Sequence, residues 1–172
     1  MSRPYPDEPA GPFEHPPVSF TDAHGREIEI SVYDESEFAA LEEMYVAFDP
    51  ADRAQGIPPA GEAAIGEWLD VVLASGHDVV AHHGDACVGH ATLVTDGEDA
   101  FELAIFVLDT HQAAGIGSRL LSALLGHASR EGVERVWLTV ERWNQAAIAL
   151  YRKVGFEACD TGNFETEMSI RL

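Results

Sequence analysis

A chain of 172 residues with 46% hydrophobic content can bury one sizeable core and is short for two full domains. It carries 30 acidic against 10 basic residues, a formal net charge of -20, with Lys153 its one lysine, which excludes nucleic acid as a natural partner. No apolar run reaches the about 20 residues of a membrane helix, no secretory leader is visible, and Cys87 and Cys159 form neither a metal nor a disulfide framework.

These features predict a soluble, cytoplasmic protein with no membrane partner, whose two thiols are buried and inert. The apolar content is ordinary and periodic, so the carboxylates are read as a coat on a folded surface. Their excess suggests adaptation to molar salt, where the Debye length falls to about 3 Å and self-repulsion is screened.

Residues 1–17 contain Pro4, Pro6, Pro9, Pro12, Pro16 and Pro17 without an apolar period, and are expected to be a flexible tail before a single domain at 18–172. A turn signal at Asp22 to Gly25 precedes Ile28, Ile30 and Val32, which alternate as in a half-buried strand. Asp34 with Glu37 three residues on reads as a helix start, and Phe38, Leu41, Tyr45 and Phe48 follow at helical spacing up to Asp49-Pro50. A loop with Gly56, Pro58, Pro59 and Gly61, a candidate acceptor-binding wall, leads to a second helix carrying Ile65, Trp68, Leu69 and Val72.

Val79 to His83 and Cys87 to Thr95 read as strands joined at Gly84-Asp85, and Ala100 to Leu108 as a third, giving an antiparallel meander. Leu120, Leu121, Leu124 and Ala128 then mark a helix ending at Gly132, before a short strand at Arg135 to Val140. A right-handed crossover would lay that strand parallel to 100–108. A last helix at Asn144 to Val154 and strands at Phe156 to Cys159 and Phe164 to Leu172 complete an α/β (α+β) reading without repeats.

Two segments carry chemistry. Gln112, Ala113, Ala114, Gly115, Ile116, Gly117 and Ser118 lie where a strand has ended and a helix begins, so unpaired backbone N–H groups converge beside the positive end of the helix dipole. Glycines at 115 and 117 let a pyrophosphate approach the backbone, although glycines also occur at helix starts for packing alone. Further on, Asn144 opens a helix and Tyr151 lies seven residues later on nearly the same face. Taken singly, Asn144 is an N-cap and Tyr151 a core residue with its hydroxyl at the rim.

Together the two segments resemble the GNAT family of acetyl-CoA-dependent N-acetyltransferases, whose cofactor motif Q/R-x-x-G-x-G/A is matched by Gln112 to Gly117. The family's second signature is matched by Asn144, Tyr151, Lys153, Gly155 and Phe156. The resemblance covers roughly 79–156, and implies a mixed, mostly antiparallel sheet of about six to seven strands with about four helices. Its central parallel strands, ending near Leu108 and Val140, would splay apart at a bulge.

It also implies direct transfer of an acetyl group from acetyl-CoA to an amine. Backbone groups of Ile105, Phe106 and Val107 would pair with the pantetheine arm, with the Val107 N–H facing the thioester oxygen. The glycine turn would hold the pyrophosphate, Asn144 would address the same ligand, and Tyr151 would reprotonate the leaving thiolate. Glu102, in the context Phe101-Glu102-Leu103-Ala104-Ile105-Phe106-Val107, is the candidate base, and Glu141 the reserve. Ala114 departs from the family, which often has a basic residue there; only Arg119, Arg142, Arg152 and Lys153 lie nearby in sequence.

His77, His82, His83 and His90 invite a metal reading, which the lack of ligand spacing opposes; no metal is expected, and a solvated hairpin end is the expected setting. The acceptor is expected to be a protein lysine, a protein N-terminus or a small amine, with Met44 to Pro59 and Phe101 to Leu121 similar to lysine-modifying acetyltransferase domains. A non-catalytic acyl-CoA-binding sensor is the alternative, and a generic nucleotide-binding protein would lack its usual loop lysine. Monomer and homodimer both fit, the latter through the C-terminal strand as an edge.

Overall fold

The computed structural model describes residues 3–49, 51, 57–74 and 76–172; Pro50 and Gly56 of the expected loop lie outside them. Around the turn at Asp22 to Gly25, β1 (Val18–Thr21) pairs antiparallel with β2 (Glu27–Val32). A single 3-10 turn at Glu35–Glu37 follows, in which the Asp34 N–H donates to the Glu37 carboxylate at 3.3 Å. That turn delays α1 to Phe38–Val46, and α2 is Glu62–Leu73. β3 (His77–His83), β4 (Ala86–Thr95) and β5 (Phe101–Val107) form the expected meander, with Gly84 at φ 63° in the tight turn where a side chain would be strained. α3 (Ile116–Arg130), β6 (Arg135–Glu141), α4 (Gln145–Val154), β7 (Glu157–Thr161) and β8 (Glu165–Arg171) complete the chain.

One eight-stranded sheet runs in the order β1-β2-β3-β4-β5-β6-β8-β7, antiparallel except for β5 with β6. The count exceeds the expected six to seven because the four-residue β1 has no alternation long enough to register as a strand by pattern. β8 lies between β6 and β7, with both of its edges paired. The expectation of a C-terminal edge strand is therefore corrected, and β1 and β7 are the edges.

α3 and α4 cover one face. Leu120, Leu121 and Leu124 are fully enclosed against Val79, Leu93, Leu138 and Ile170, each such burial contributing about 1.5–3 kcal/mol. On the other face, α1 and α2 bury Leu41, Tyr45, Ile65 and Leu69 against Val80, Cys87 and Phe106. Burial pushes the Cys87 thiol up to about 12, so this thiol is inert as expected, whereas Cys159 is only partly buried.

Residues 3–17 are not the free tail the proline content predicts. The Ala10 N–H donates to the Arg171 carbonyl at 2.8 Å, Ala10 and Phe13 pack on the α3 core, and the chain passes so close to α3 that a Cβ on Gly126 would collide with the Glu14 carbonyl oxygen. The segment is a strap that rounds the end of the sheet, its ordering offset by partners far away in sequence.

Candidate active site

β5 and β6 are hydrogen-bonded partners at only two rungs, Phe101 with Val136 and Glu102 with Trp137. Beyond these they part, while β5 stays in register with β4 and β6 with β8 along their full lengths. Two half-sheets, each with a complete ladder and its own twist, thus diverge from a short shared hinge. The expected bulge is absent from β5. The register shifts of the sheet lie instead at Ala81/His82 and Ala158/Asp160.

The rims of this V follow from the ladders. Leu108 N–H donates to Val88 C=O, so the even residues of β5 turn their backbone groups toward β4, and Leu103, Ile105 and Val107 turn theirs into the V. On β6, bonds from Leu172 N–H to Glu134 C=O and from Arg142 N–H to Phe164 C=O direct the even residues to β8, leaving Thr139 and Glu141 facing the V. Ile105 and Val107 therefore turn their backbone groups into the V. Phe106 does not: its amide faces β4 and its ring joins the α1 and α2 cluster.

At the open end of β5, Gln112 Nε2 donates to the Val107 carbonyl at 2.9 Å and anchors the turn. Ala113 (φ 56°) and Gly115 (φ 88°) then bring the chain into α3 with left-handed geometry. Among the described residues, no acceptor partners the backbone N–H groups of Ala113 to Ser118. Ala114 and Ile116 point their side chains into the core, so they can contribute only backbone donors. A Cβ at Gly115 would meet nothing within 4 Å, which leaves the mouth of this cradle open to an anion.

The turn between β1 and β2 supports the cradle. Ala23 N–H donates to Ala114 C=O at 3.1 Å, and Arg26 Nη1 to Thr110 C=O at 2.9 Å. Arg26 is fixed by Asp22; against the effect of burial, hydrogen bonds from the Arg26 amide and guanidinium and the His24 amide hold the Asp22 carboxyl at about 2. Arg26 Nη2 is buried without a partner. Sequence proximity missed this cation, since it reaches the cradle from 84 residues away. Arg119 points instead to Glu14 and Phe20.

Asn144 caps α4, its side-chain oxygen accepting from Ala147 N–H at 3.2 Å. Tyr151 packs on the α3 core with its ring 5.8 Å from Phe156, and burial alone pushes its phenol up to about 12. Glu102 shares a row with Val94 and Trp137 at the closed end of the V, on the face of α1 and α2. Burial raises its carboxyl above the usual range, partly opposed by the Arg3 guanidinium and reinforced by Asp96 and Glu167. Glu141 lies on the same face near the open end of β6. Tyr151 and Glu102 thus lie on opposite faces of the sheet.

Beside Glu102 the face carries an aromatic wall. The Phe106 ring meets Tyr45, Phe48 and Trp68 edge-on at centroid separations of 5.5, 6.0 and 5.6 Å. Tyr45 is held by His90, whose Nδ1 lies 2.6 Å from the phenol oxygen and whose Nε2 lies 2.7 Å from Asp78 Oδ1, all three enclosed. This corrects the expected solvated setting for His90: the ring is buried because both nitrogens have partners. His83 does lie at the hairpin end, 3.1 Å from His111. Among the described residues, no three His, Cys, Asp or Glu side chains converge on a metal position, and no helix is long and apolar enough to cross a membrane. A surface depression lined by His77, Asp99, Phe101 and Glu131 lies at the opposite end of β5 from the cradle.

Comparison with known proteins agrees with this geometry. A mycothiol acetyltransferase of Nocardiopsis dassonvillei is 28% identical over 168 residues, covering 90% of this chain and 51% of that protein. The N-alpha-acetyltransferase RimI of Mycobacterium tuberculosis is 43% identical over 91 residues, covering 49% of this chain and 56% of the relative. The chain spans about half the length of the curated relatives it matches. Among solved structures, the GNAT domain of S. lividans PAT superposes with a TM-score of 0.73 at 17% identity, covering 92% of this chain and 100% of that one. The Salmonella typhimurium protein yncA, solved with acetyl-CoA, gives a TM-score of 0.70 at 23% identity over 84% of this chain and 94% of its own. Residues 38–156 match the model of the Acetyltransferase (GNAT) family, and the chain belongs to that family.

Proposed function

We propose that the chain transfers an acetyl group from acetyl-CoA to a primary amine by direct attack, the acceptor being a protein lysine, a protein N-terminus or a small amine. The observation that carries this reading is the unpaired V, with backbone donors of Ile105 and Val107 on one rim and the donor-rich Ala113 to Ser118 cradle at its mouth. These groups fit an extended amide-bearing arm that ends in a pyrophosphate, as in acetyl-CoA. Tyr151 fits the acid and Glu102 the base.

In this mechanism Glu102 accepts a proton from the acceptor ammonium, directly or through a water. The free amine forms the new N–C bond while Val107 N–H donates to the oxygen on which charge develops. The C–S bond breaks, Tyr151 gives its proton to the leaving sulfur, and the second proton shed by the acceptor nitrogen passes through solvent to restore the phenol. A phenol held at about 12 is fully protonated at neutral pH, which suits a donor and disqualifies it as the base.

Calorimetric titration of acetyl-CoA at molar KCl, followed by a thiol-release assay over amines and lysine peptides, tests the reading. Binding with release supports it, whereas binding without release from any acceptor would turn the chain into an acyl-CoA sensor. Tyr151→Phe is expected to lower kcat about 100-fold while leaving acetyl-CoA affinity within about twofold.

A further inference from the structure

The N-terminal strap covers the same face that carries Glu102. There Arg3 lays its guanidinium 3.6 Å above the Trp137 ring, pairs with the Glu167 carboxylate and stands 3.9 Å from Asp96. Trp137 is oriented by its own indole N–H, which donates to Asp96 at 3.1 Å. This tryptophan is the register partner of Glu102 at the last rung before β5 and β6 part. The guanidinium therefore lies at the root of the V, among an aromatic face and the carboxylates of Asp96, Glu102 and Glu167.

Behind Arg3 the strap is held through its backbone. Ser169 Oγ donates to the Pro4 carbonyl at 2.8 Å, and Arg171 Nε to the Pro6 carbonyl at 2.7 Å. Two side-chain donors of β8 thus take carbonyls two residues apart, the spacing of an extended chain. Pro4 and Pro6 keep the segment extended and carry no N–H of their own. The Arg3 guanidinium is held by the Glu167 carboxylate and stacked on Trp137 in ways a lysine reproduces only in part.

Such a groove, with a stacking platform, an acidic pocket and donors for alternate carbonyls, has the makeup of a peptide-binding site that a segment of the same chain now fills. We propose that it is the docking site for an extended basic segment of the acceptor, whose arginine displaces Arg3 from the Trp137, Asp96 and Glu167 pocket. This rests on the transferase reading above and narrows its acceptor to basic polypeptides. The net charge of -20 would draw such a partner in. The tethered strap competes at an effective concentration on the order of millimolar, so it sets a threshold that only a cationic segment passes.

The test uses the full chain and its Arg3→Ala variant, with an N-acetylated peptide copying residues 2–7 and labelled with fluorescein at its C-terminus. Anisotropy is expected to show at least tenfold tighter binding to Arg3→Ala than to the unaltered chain, and loss of that gain when Glu167→Gln is added. In thiol release, Arg3→Ala is expected to lower KM at least threefold for a lysine peptide that contains arginine, and not for its alanine counterpart. A merely structural Arg3 would lower Tm and move neither quantity. Equal peptide binding by both proteins overturns the groove, and unchanged KM with binding intact overturns its link to the acceptor. Absence of release from any amine would instead refute the transferase reading while the anisotropy still decides the groove.

Discussion

Replacing His90 with alanine should be among the most damaging single changes in the chain. His90 is wholly enclosed and bonded on both nitrogens, to Tyr45 at 2.6 Å and to Asp78 at 2.7 Å. Asp78 Oδ2 already lacks a hydrogen bond, so loss of the imidazole strands a buried carboxyl with neither oxygen partnered. Removing one partner of a buried hydrogen-bonded pair that contains a carboxyl costs about 3–5 kcal/mol. For a domain of this size each kcal/mol moves Tm by about 2–4 °C, so a fall of about 6–20 °C is expected in a thermal melt. Tyr45→Phe removes one hydroxyl and leaves one ring nitrogen unpaired, a cost of about 1–3 kcal/mol. Because all three groups form one chain, the double variant should fall short of the sum of the single effects by at least about 0.5 kcal/mol. If His90→Ala costs no more than Tyr45→Phe, or if the two effects add, the relay does not hold α1 to the sheet and the reasoning fails.

Gly115→Ala meets no neighbour but must hold φ 88°, so it should cost about 1–2 kcal/mol in chemical denaturation and weaken acetyl-CoA binding in calorimetry. Glu102 has its carboxyl raised by burial, so the acid limb of kcat/KM should lie above the ordinary carboxylate range, activity being lost as pH falls through it. Glu102→Gln should flatten that limb and slow turnover about 100-fold or more. Since the folded state binds this proton more tightly than the unfolded chain, the ionised form opposes folding at neutral pH, and Glu102→Gln should not lower Tm there. With a net charge of -20, the unfolding midpoint should rise as KCl increases from millimolar to molar, and a midpoint insensitive to salt would remove the case for salt adaptation.

Local periodicity made the helices and the meander legible. Leu120, Leu121, Leu124 and Ala128 announce α3, and Ile65, Leu69 and Val72 announce α2, because a 3.6-residue stripe is written in consecutive residues. The glycine turn was legible for the same reason, since its strand, its left-handed entry and its helix are neighbours in sequence. Arg26, His90 and the strap were not. Arg26 reaches the cradle through a hairpin 84 residues upstream, and His90 is buried by partners 45 and 12 residues away. Pro4, Pro6 and Ala10 are ordered by Ser169 and Arg171, near the other end of the chain. The orientation of Phe106 was missed for a subtler reason: the strand is correct, but which backbone edge is open depends on the ladder to β4.

The placement of β8 between β6 and β7 has a consequence during synthesis. β6 touches β5 at only two rungs, so nearly all of its ladder waits for a strand that is completed about 30 residues later. At about 5–20 residues per second on the ribosome, an apolar strand with one edge open and the other paired at only two rungs persists for roughly 1.5–6 s. Such an interval is when intermolecular strand pairing competes with folding. The carboxylates of Glu134 and Glu141, placed just before and at the end of this strand, act as gatekeepers that make stacking against an identical nascent copy unfavourable.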